Sequence, residues 1–228
     1  VNNEIGTIQD ISKISKIIKE YNKNTILHID ATQAVGKIDC DVRKLGVDLM
    51  SFSAHKFHGP KGIGGLYVKK DVLAKLKPVL FGGRQQVISS GTNNHPAIYA
   101  MAIALIDHQK SFDRKYIREL NLYMRDQLLK NIDDININTP CDNFAPQILS
   151  VGFKNIKSEV LLHMLEQEEI YVSSGSACSK GNNNRILDAL GVDYNYKDGV
   201  IRFSFTDTTK KEEIDKTITI RKVMIWKL

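Results

Sequence analysis

Long apolar runs, paired cysteines and clustered basic stripes are all missing from this chain of 228 residues. The longest apolar stretch, Ala97 to Ile106, is too short to cross a bilayer and polar residues close it on both sides, so no membrane role is expected. No signal peptide is visible. Three cysteines, Cys40, Cys141 and Cys178, are odd in number and widely spaced. That excludes a disulfide framework and a zinc-ligand pattern, and it makes a reducing cytoplasm the expected compartment. Net charge is a mild +6, with no basic stripe, glycine–arginine repeat or interleaved aromatics. Such a balance suits a phosphorylated cofactor or an acidic partner and excludes direct nucleic-acid binding. Internal repeats and low-complexity tracts are absent too.

What remains is ordinary for a globular protein: 42% hydrophobic and 25% charged residues, enough chain for one large domain or two smaller ones. Ile8, Ile11, Ile14, Ile17, Ile18 and Tyr21 recur at helical spacing, so residues 8–21 read as an amphipathic helix. Thr25–Asp30, Val47–Phe52 and Ile63–Val68 read as strands, and the helix–strand rhythm is that of a wound parallel sheet. A helical segment runs from Pro96 to about Ile132 with a break near Lys110-Ser111. After a polar stretch to Pro146, a second α/β unit is expected. Its strands are Gln147–Phe153, Ile170–Ser173 and Val200–Phe205, its helices Ser158–Glu168 and Arg185–Leu190, and Thr209 with Glu212 forms a capping box on the last helix. The expected division is residues 1–110 and 111–228. Val1 stands where no methionine does, as though the chain were cut from something longer.

The chemistry-bearing residues cluster at strand ends. Lys56, in Ser53-Ala54-His55-Lys56, follows a buried strand and so emerges where open α/β sheets keep their ligand crevice. A lysine there, beside a hydroxyl and an imidazole, is a candidate Schiff-base lysine with phosphate donors next to it. The bland alternative is a solvated strand-end lysine. Pyridoxal phosphate also needs a carboxylate for its ring nitrogen, and Asp30 at the end of a strand is the candidate, against a plain turn aspartate. Gln33 would face the same crevice. Cys178 sits in a loop of glycine, serine and asparagine with Lys180 nearby to favour the thiolate, whereas Cys40 lies between Asp39 and Asp41, which should raise its pKa. Arg202, among β-formers, either holds an anion or faces water from an edge strand.

Six motifs then occur in order: Val1-Asn2-Asn3-Glu4-Ile5-Gly6-Thr7, His28-Ile29-Asp30-Ala31-Thr32-Gln33, Ser53-Ala54-His55-Lys56, Ser90-Gly91-Thr92, Ser174-Gly175-Ser176-Ala177-Cys178 and Ile201-Arg202-Phe203-Ser204. From residue 1 to about 220 the chain resembles the group I cysteine desulfurases of the nitrogen-fixation and iron–sulfur-cluster type, within the class-V aminotransferase family. The resemblance implies the α/β fold of a type I pyridoxal 5'-phosphate-dependent transferase, with part of the large-domain parallel sheet and a smaller C-terminal α/β domain. It assigns Lys56 to the cofactor's Schiff base and to proton transfer. Asp30 falls to the pyridinium nitrogen, Gln33 to the phenolic oxygen, and Ser53 and His55 to the phosphate. Thr92 would reach the phosphate of a neighbouring subunit, which implies a homodimer. Asn3, also near the cofactor, would clamp the carboxylate of L-cysteine together with Arg202. Cys178 would take the sulfur as a persulfide, releasing alanine, and pass it to an iron–sulfur scaffold or a sulfur carrier for tRNA thiolation or thiamine. No resident metal is implied, Cys178 being at most a transient iron–sulfur ligand.

Three departures stand out: the family's N-terminal section, which supplies a ring-stacking histidine, is not in this sequence; Ser89 replaces the usual arginine; and Thr206-Asp207 follow the Arg202 strand, after a short loop beyond Cys178. Selenocysteine lyase, another class-V enzyme of this cofactor, and a non-catalytic remnant or interaction module are the competing readings.

Overall fold

A computed structural model describes residues 1–83, 88–174 and 185–225, with side chains up to residue 220. They form two compact units: Gln9–Ser111 is one, and Val1–Ile8 with Phe112–Leu228 is the other.

In the first unit, helix α1 (Ile11–Tyr21) starts later than its apolar periodicity suggests. The Asp10 carboxylate accepts from the Lys13 N–H and so caps the first turn. Strands β1 (His28–Asp30) and β2 (Leu49–Ser53) pair in parallel, with Asp30 opposite Ser51, and the short helix α2 (Val42–Leu45) lies between them in sequence. Strand β3 (Gly64–Val68) is antiparallel to β2, so the sheet is mixed rather than parallel throughout. The connection explains this correction. Residues 54–63 are too few for a crossover, which takes a dozen residues or more, but ample for a reversal. Gly65 lies opposite Phe52, and a Cβ there would come within 2.3 Å of the Phe52 ring, so only glycine lets that ring lie across the pair. Helices α3 (Lys70–Leu73) and α4 (His95–Ser111) complete the unit.

Asp48 ties these elements together just before β2. It is 4% exposed. One oxygen accepts from Lys19 of α1 at 2.6 Å and from the Leu27 N–H at 2.9 Å. Its backbone N–H bonds the Leu27 carbonyl, and its carbonyl takes the Lys69 N–H beyond β3. Burial opposes its charge, but the Lys19 and Leu27 bonds outweigh that and hold its carboxyl below the ordinary value. Asp48→Asn should therefore cost about 2 kcal/mol at pH 7, less than a fully buried pair because Lys19 is partly solvated. A carboxylate with a depressed folded pKa stabilises above its unfolded value of 3.8 and loses that contribution as pH falls through the folded value. The gap between variant and parent in urea unfolding should thus close in acid.

In the second unit, α5 (Arg114–Asn131), α6 (Ser158–Glu166) and α9 (Lys211–Ile225) accompany a four-stranded sheet. Its order is β4 (Ile135–Ile137), β5 (Ile148–Phe153), β7 (Val200–Ser204), β6 (Ser173–Ser174), antiparallel at every pairing. Two short helices, α7 (Arg185–Ala189) and α8 (Tyr194–Lys197), precede β7. Leu149, Val151, Phe153, Ile201 and Phe203 pack against Ile117, Leu120, Met124, Leu128, Ile214 and Ile218 in one buried cluster. Strand β4 falls inside the stretch read from sequence as a polar connection. The capping box moves by one residue: the Glu213 carboxylate accepts from the Lys210 N–H, while Thr209 accepts from the Thr206 N–H.

Residues 2–8 belong to this unit through backbone bonds. Thr7 bridges Phe144, the Ala145 N–H donates to the Gly6 carbonyl at 2.8 Å, and the Ile8 N–H donates to the Asn143 carbonyl at 3.0 Å. Gly6 has φ +76°, and a Cβ there would sit 3.2 Å from Ile148 Cβ, so the turn after Asn3-Glu4-Ile5 needs glycine twice over. Fully buried Asn121 holds the receiving segment: its Nδ2 donates to the Pro146 and Ile148 carbonyls, and its Oδ1 accepts from Arg125 Nε. Asn121→Ala should destabilise by about 2–3 kcal/mol, because it strands two buried carbonyls and a guanidinium N–H. Chemical denaturation would measure it.

Candidate active site

Two groups of sequence-predicted residues emerge, one in each unit. In the first, β1 and β2 run in parallel, so Asp30 and Ser53 reach the same edge of the sheet. Ala54–Phe57 then turn as a 3₁₀ helix whose Ala54 and Phe57 are completely buried, which leaves His55 exposed and Lys56 half-buried. Ser53 Oγ lies 2.7 Å from His55 Nδ1, so the two candidate phosphate donors already share a hydrogen bond. Asp30 is exposed, and its Oδ1 accepts from the Thr32 N–H at 2.8 Å. It thus makes the turn contact of the bland reading. Hydrogen bonding from Thr32, side chain foremost, lowers its carboxyl pKa against the opposing effect of burial, with His28 assisting. An aspartate kept ionised at the end of β1 has the state that a protonated pyridine nitrogen requires. Gln33 follows in a helical turn, Ala34 and Lys37 bonding back to Ala31 and Ala34, and it is partly buried. Thr92 is exposed on the loop before α4.

Lys37 was not among the residues picked out from sequence. It lies four residues after Gln33, one helical turn along, and its amine feels the charge of Lys56. Burial first, then Lys56, push its pKa down from 10.5 to about 8. Ionised Asp30, the Ser53–His55 pair and two neighbouring amines make one strand-end edge that suits an anionic, aldehyde-bearing cofactor such as pyridoxal phosphate.

In the second unit, Arg202 is on β7, an inner strand between β5 and β6, which rules out the water-facing edge position. Its Nη1 donates to the Asn3 carbonyl at 2.9 Å and its Nη2 to Ser173 Oγ at 3.1 Å. The contact with Asn3 is therefore through the backbone. Ser173 is paired with Arg202 across the antiparallel ladder, which puts the two side chains on one face. Arg202 Nε is buried and has no hydrogen-bond partner among the described residues. Burial lowers the guanidinium pKa, with Glu4 opposing. Cys178 and its loop, residues 175–184, lie outside the described residues. Cys40 is half-buried, and burial ahead of Asp39 raises its thiol pKa. Among the described residues no cluster of side chains could hold a metal ion, and no helix is long and apolar enough to cross a membrane.

Comparison with known proteins supplies the class. The aminotransferase class-V family pattern matches residues 1–217, and the chain belongs to that family. Cysteine desulfurase IscS of Buchnera aphidicola subsp. Baizongia pistaciae is 41% identical over 228 residues, covering 96% of this chain and 54% of its own length. Cysteine desulfurase IscS of Dictyoglomus turgidum is 38% identical over 234 residues, covering 100% and 58%. A solved NifS-like protein superposes with a TM-score of 0.86 at 36% identity, over 100% of this chain and 59% of that one. The fold is accordingly that of the NifS-like transferases, α/β with mixed and antiparallel sheets. The chain spans a little over half the length of these relatives.

Lys37 generates a prediction on the cofactor-free chain. Its pKa is lower folded than unfolded, so between pH 8 and 10.5 the unfolded state binds more protons and stability rises with pH. Below pH 8 the full cost of the buried charge is present. Lys37→Met should raise the melting temperature at pH 7, and the gain should vanish as pH climbs past 10.5, which a series of thermal melts would read.

Proposed function

We propose that this chain is the catalytic portion of a pyridoxal 5'-phosphate-dependent cysteine desulfurase acting on L-cysteine. The observation that supports it most is the edge where Lys56, the Ser53–His55 pair and ionised Asp30 follow adjacent parallel strands. Pyridoxal phosphate, when bound, supplies an electron sink for bonds broken at the substrate α-carbon. Asp30 would hold the proton on the ring nitrogen, and Gln33 would contact the phenolic oxygen. Ser53 and His55 donate to the phosphate, joined by Thr92 from a second subunit of a homodimer. Lys56 would hold the cofactor through its aldehyde and would move protons at the substrate carbon.

Arg202, steadied by Ser173 and the Asn3 carbonyl, takes the substrate carboxylate with its remaining N–H groups. The Cys178 thiolate attacks the substrate sulfur; an S–S bond forms as the C–S bond breaks, and the carbon skeleton leaves as alanine after protonation. The persulfide passes to an iron–sulfur scaffold or a sulfur-carrier protein in the cytoplasm.

Two measurements test this. Incubation with pyridoxal phosphate, borohydride reduction and peptide mass mapping should find the label on Lys56. In a chain extended to the length of its relatives, sulfide release from L-cysteine with dithiothreitol should be lost in Cys178→Ala while the label persists. A label on Lys37 with Lys56 unmodified, or full sulfide release by Cys178→Ala, would overturn the assignment.

A further inference from the structure

A second concentration of positive charge in the first unit lies away from Lys56. A cavity of about 630 Å³ opens where β2 begins, walled by α1, α2, the residues leading into β2 and the segment after β3. Lys56 follows the opposite end of β2, roughly 15–20 Å along the strand. Seven basic side chains line this cavity against two acidic ones, Asp48 and Asp71.

Some of that charge is accounted for. Lys19 is bound to Asp48, and Lys69 lies 3.9 Å from Asp48 and 4.0 Å from Asp71. Arg43 and Lys44 turn to Asp41 and Asp39. Among the described residues Lys16, Lys23 and Lys75 have no ion pair within 4 Å, although the charge of Lys16 helps to lower the Asp10 carboxyl pKa. Lys16 and Lys19 lie three residues apart on α1, and Lys23, two residues beyond its end, lines the same hollow. Asp48, the buried acid of the wall, takes Lys19 and the Leu27 N–H on one oxygen and has Lys69 3.9 Å from the other, so it pairs with those two lysines rather than with Lys16, Lys23 or Lys75.

We infer that this cavity binds a small polyvalent anion carrying two or more phosphate-type groups. Its volume is in the range of small-molecule sites, so a single phosphate would leave it mostly empty. Lys16 lies on α1, Lys23 just beyond its end and Lys75 beyond α3, so one compact charge meets only part of the set. A chain of linked phosphates can meet both walls, and its binding should weaken with salt because the lysines are exposed.

Calorimetric titration of the chain with tripolyphosphate at low ionic strength tests this. The expected result is saturable one-to-one binding. The combined Lys16→Gln, Lys23→Gln and Lys75→Gln variant should bind at least about tenfold more weakly, since each contact of unit charges in water is worth a few-fold in affinity. Lys110→Gln, on α4, should bind like the parent, and thermal melts should show the triple variant folded, because none of its three lysines is ion-paired. Absence of saturable heat would overturn the proposal. So would unchanged binding by the triple variant together with loss in Lys56→Ala, which would put the anion at the strand-end site. Binding of a polyglutamate peptide in place of tripolyphosphate would overturn the small-anion assignment.

Discussion

The placement of Lys56 rests on a buried carboxylate at the other end of its strand. Asp48 would be costly to bury alone, and its charge is held by Lys19, the Leu27 N–H and, more distantly, Lys69. Those partners come from α1, the approach to β1 and the exit from β3. One ionised group therefore fixes where β2 begins relative to every element around it. The strand then has five residues, and Ala54 and Phe57, both without exposed surface, anchor its end in the core. Between the two anchors β2 cannot slip by one residue without breaking the Asp48 bonds and drawing Ala54 and Phe57 out of the core. The exposure of His55 and the half-burial of Lys56 follow from that register.

The second unit solves a similar problem with a guanidinium. Arg125 is 7% exposed, and burial opposes its charge, so the guanidinium needs close partners to offset the desolvation. It has them in Asn121 Oδ1, the Thr139 and Pro140 carbonyls and the Phe144 ring 4.3 Å below. Those contacts shape the segment 139–148, which in turn receives residues 2–8 as if they were another strand. The Asn3 carbonyl that steadies Arg202 thus depends on a cation that never approaches it. This gives a physical reason why Val1-Asn2-Asn3-Glu4-Ile5-Gly6 reads as one motif: the asparagine supplies the carbonyl, and Gly6 supplies the positive φ that lets the following residues pair.

Much of the site was legible because its carriers are apolar. The β1 and β2 runs, the helix break near residue 110 and the position of Lys56 all follow from periodicity and strand ends. Direction was not legible, since an apolar run has no polarity of its own, and β3 was read as parallel although its connection is short. Strand β4 was invisible because Ile135-Asn136-Ile137 is too brief to stand out from a polar tract, and only its pairing with β5 makes it a strand. Lys37 escaped for another reason. Nothing distinguishes a lysine that will be half-buried from a solvated one until the turn after Asp30 is known to be helical. The spacing Gln33–Lys37 was the available signal, and it has meaning only given that turn.

Each unit ends with a cation whose surroundings are short of negative charge. Lys37 is buried within the electrostatic reach of Lys56, which lowers its pKa further, and Arg202 keeps a buried Nε without a bond among the described residues. Folding alone does not favour either arrangement, because a half-buried like-charge pair and an unsatisfied guanidinium N–H both cost free energy. Both costs fall if an anion arrives: a phosphate or phenolate beside the two amines, a carboxylate beside the arginine. Asp48 is paired within the chain, whereas Arg125 bonds Asn121 and two carbonyls while its buried Nη2, like Arg202 Nε, has no hydrogen-bond partner among the described residues. A bare guanidinium nitrogen therefore does not by itself separate a residue that waits for a ligand from one that holds the fold, and the case for Arg202 rests on its bond to the Asn3 carbonyl of the first motif.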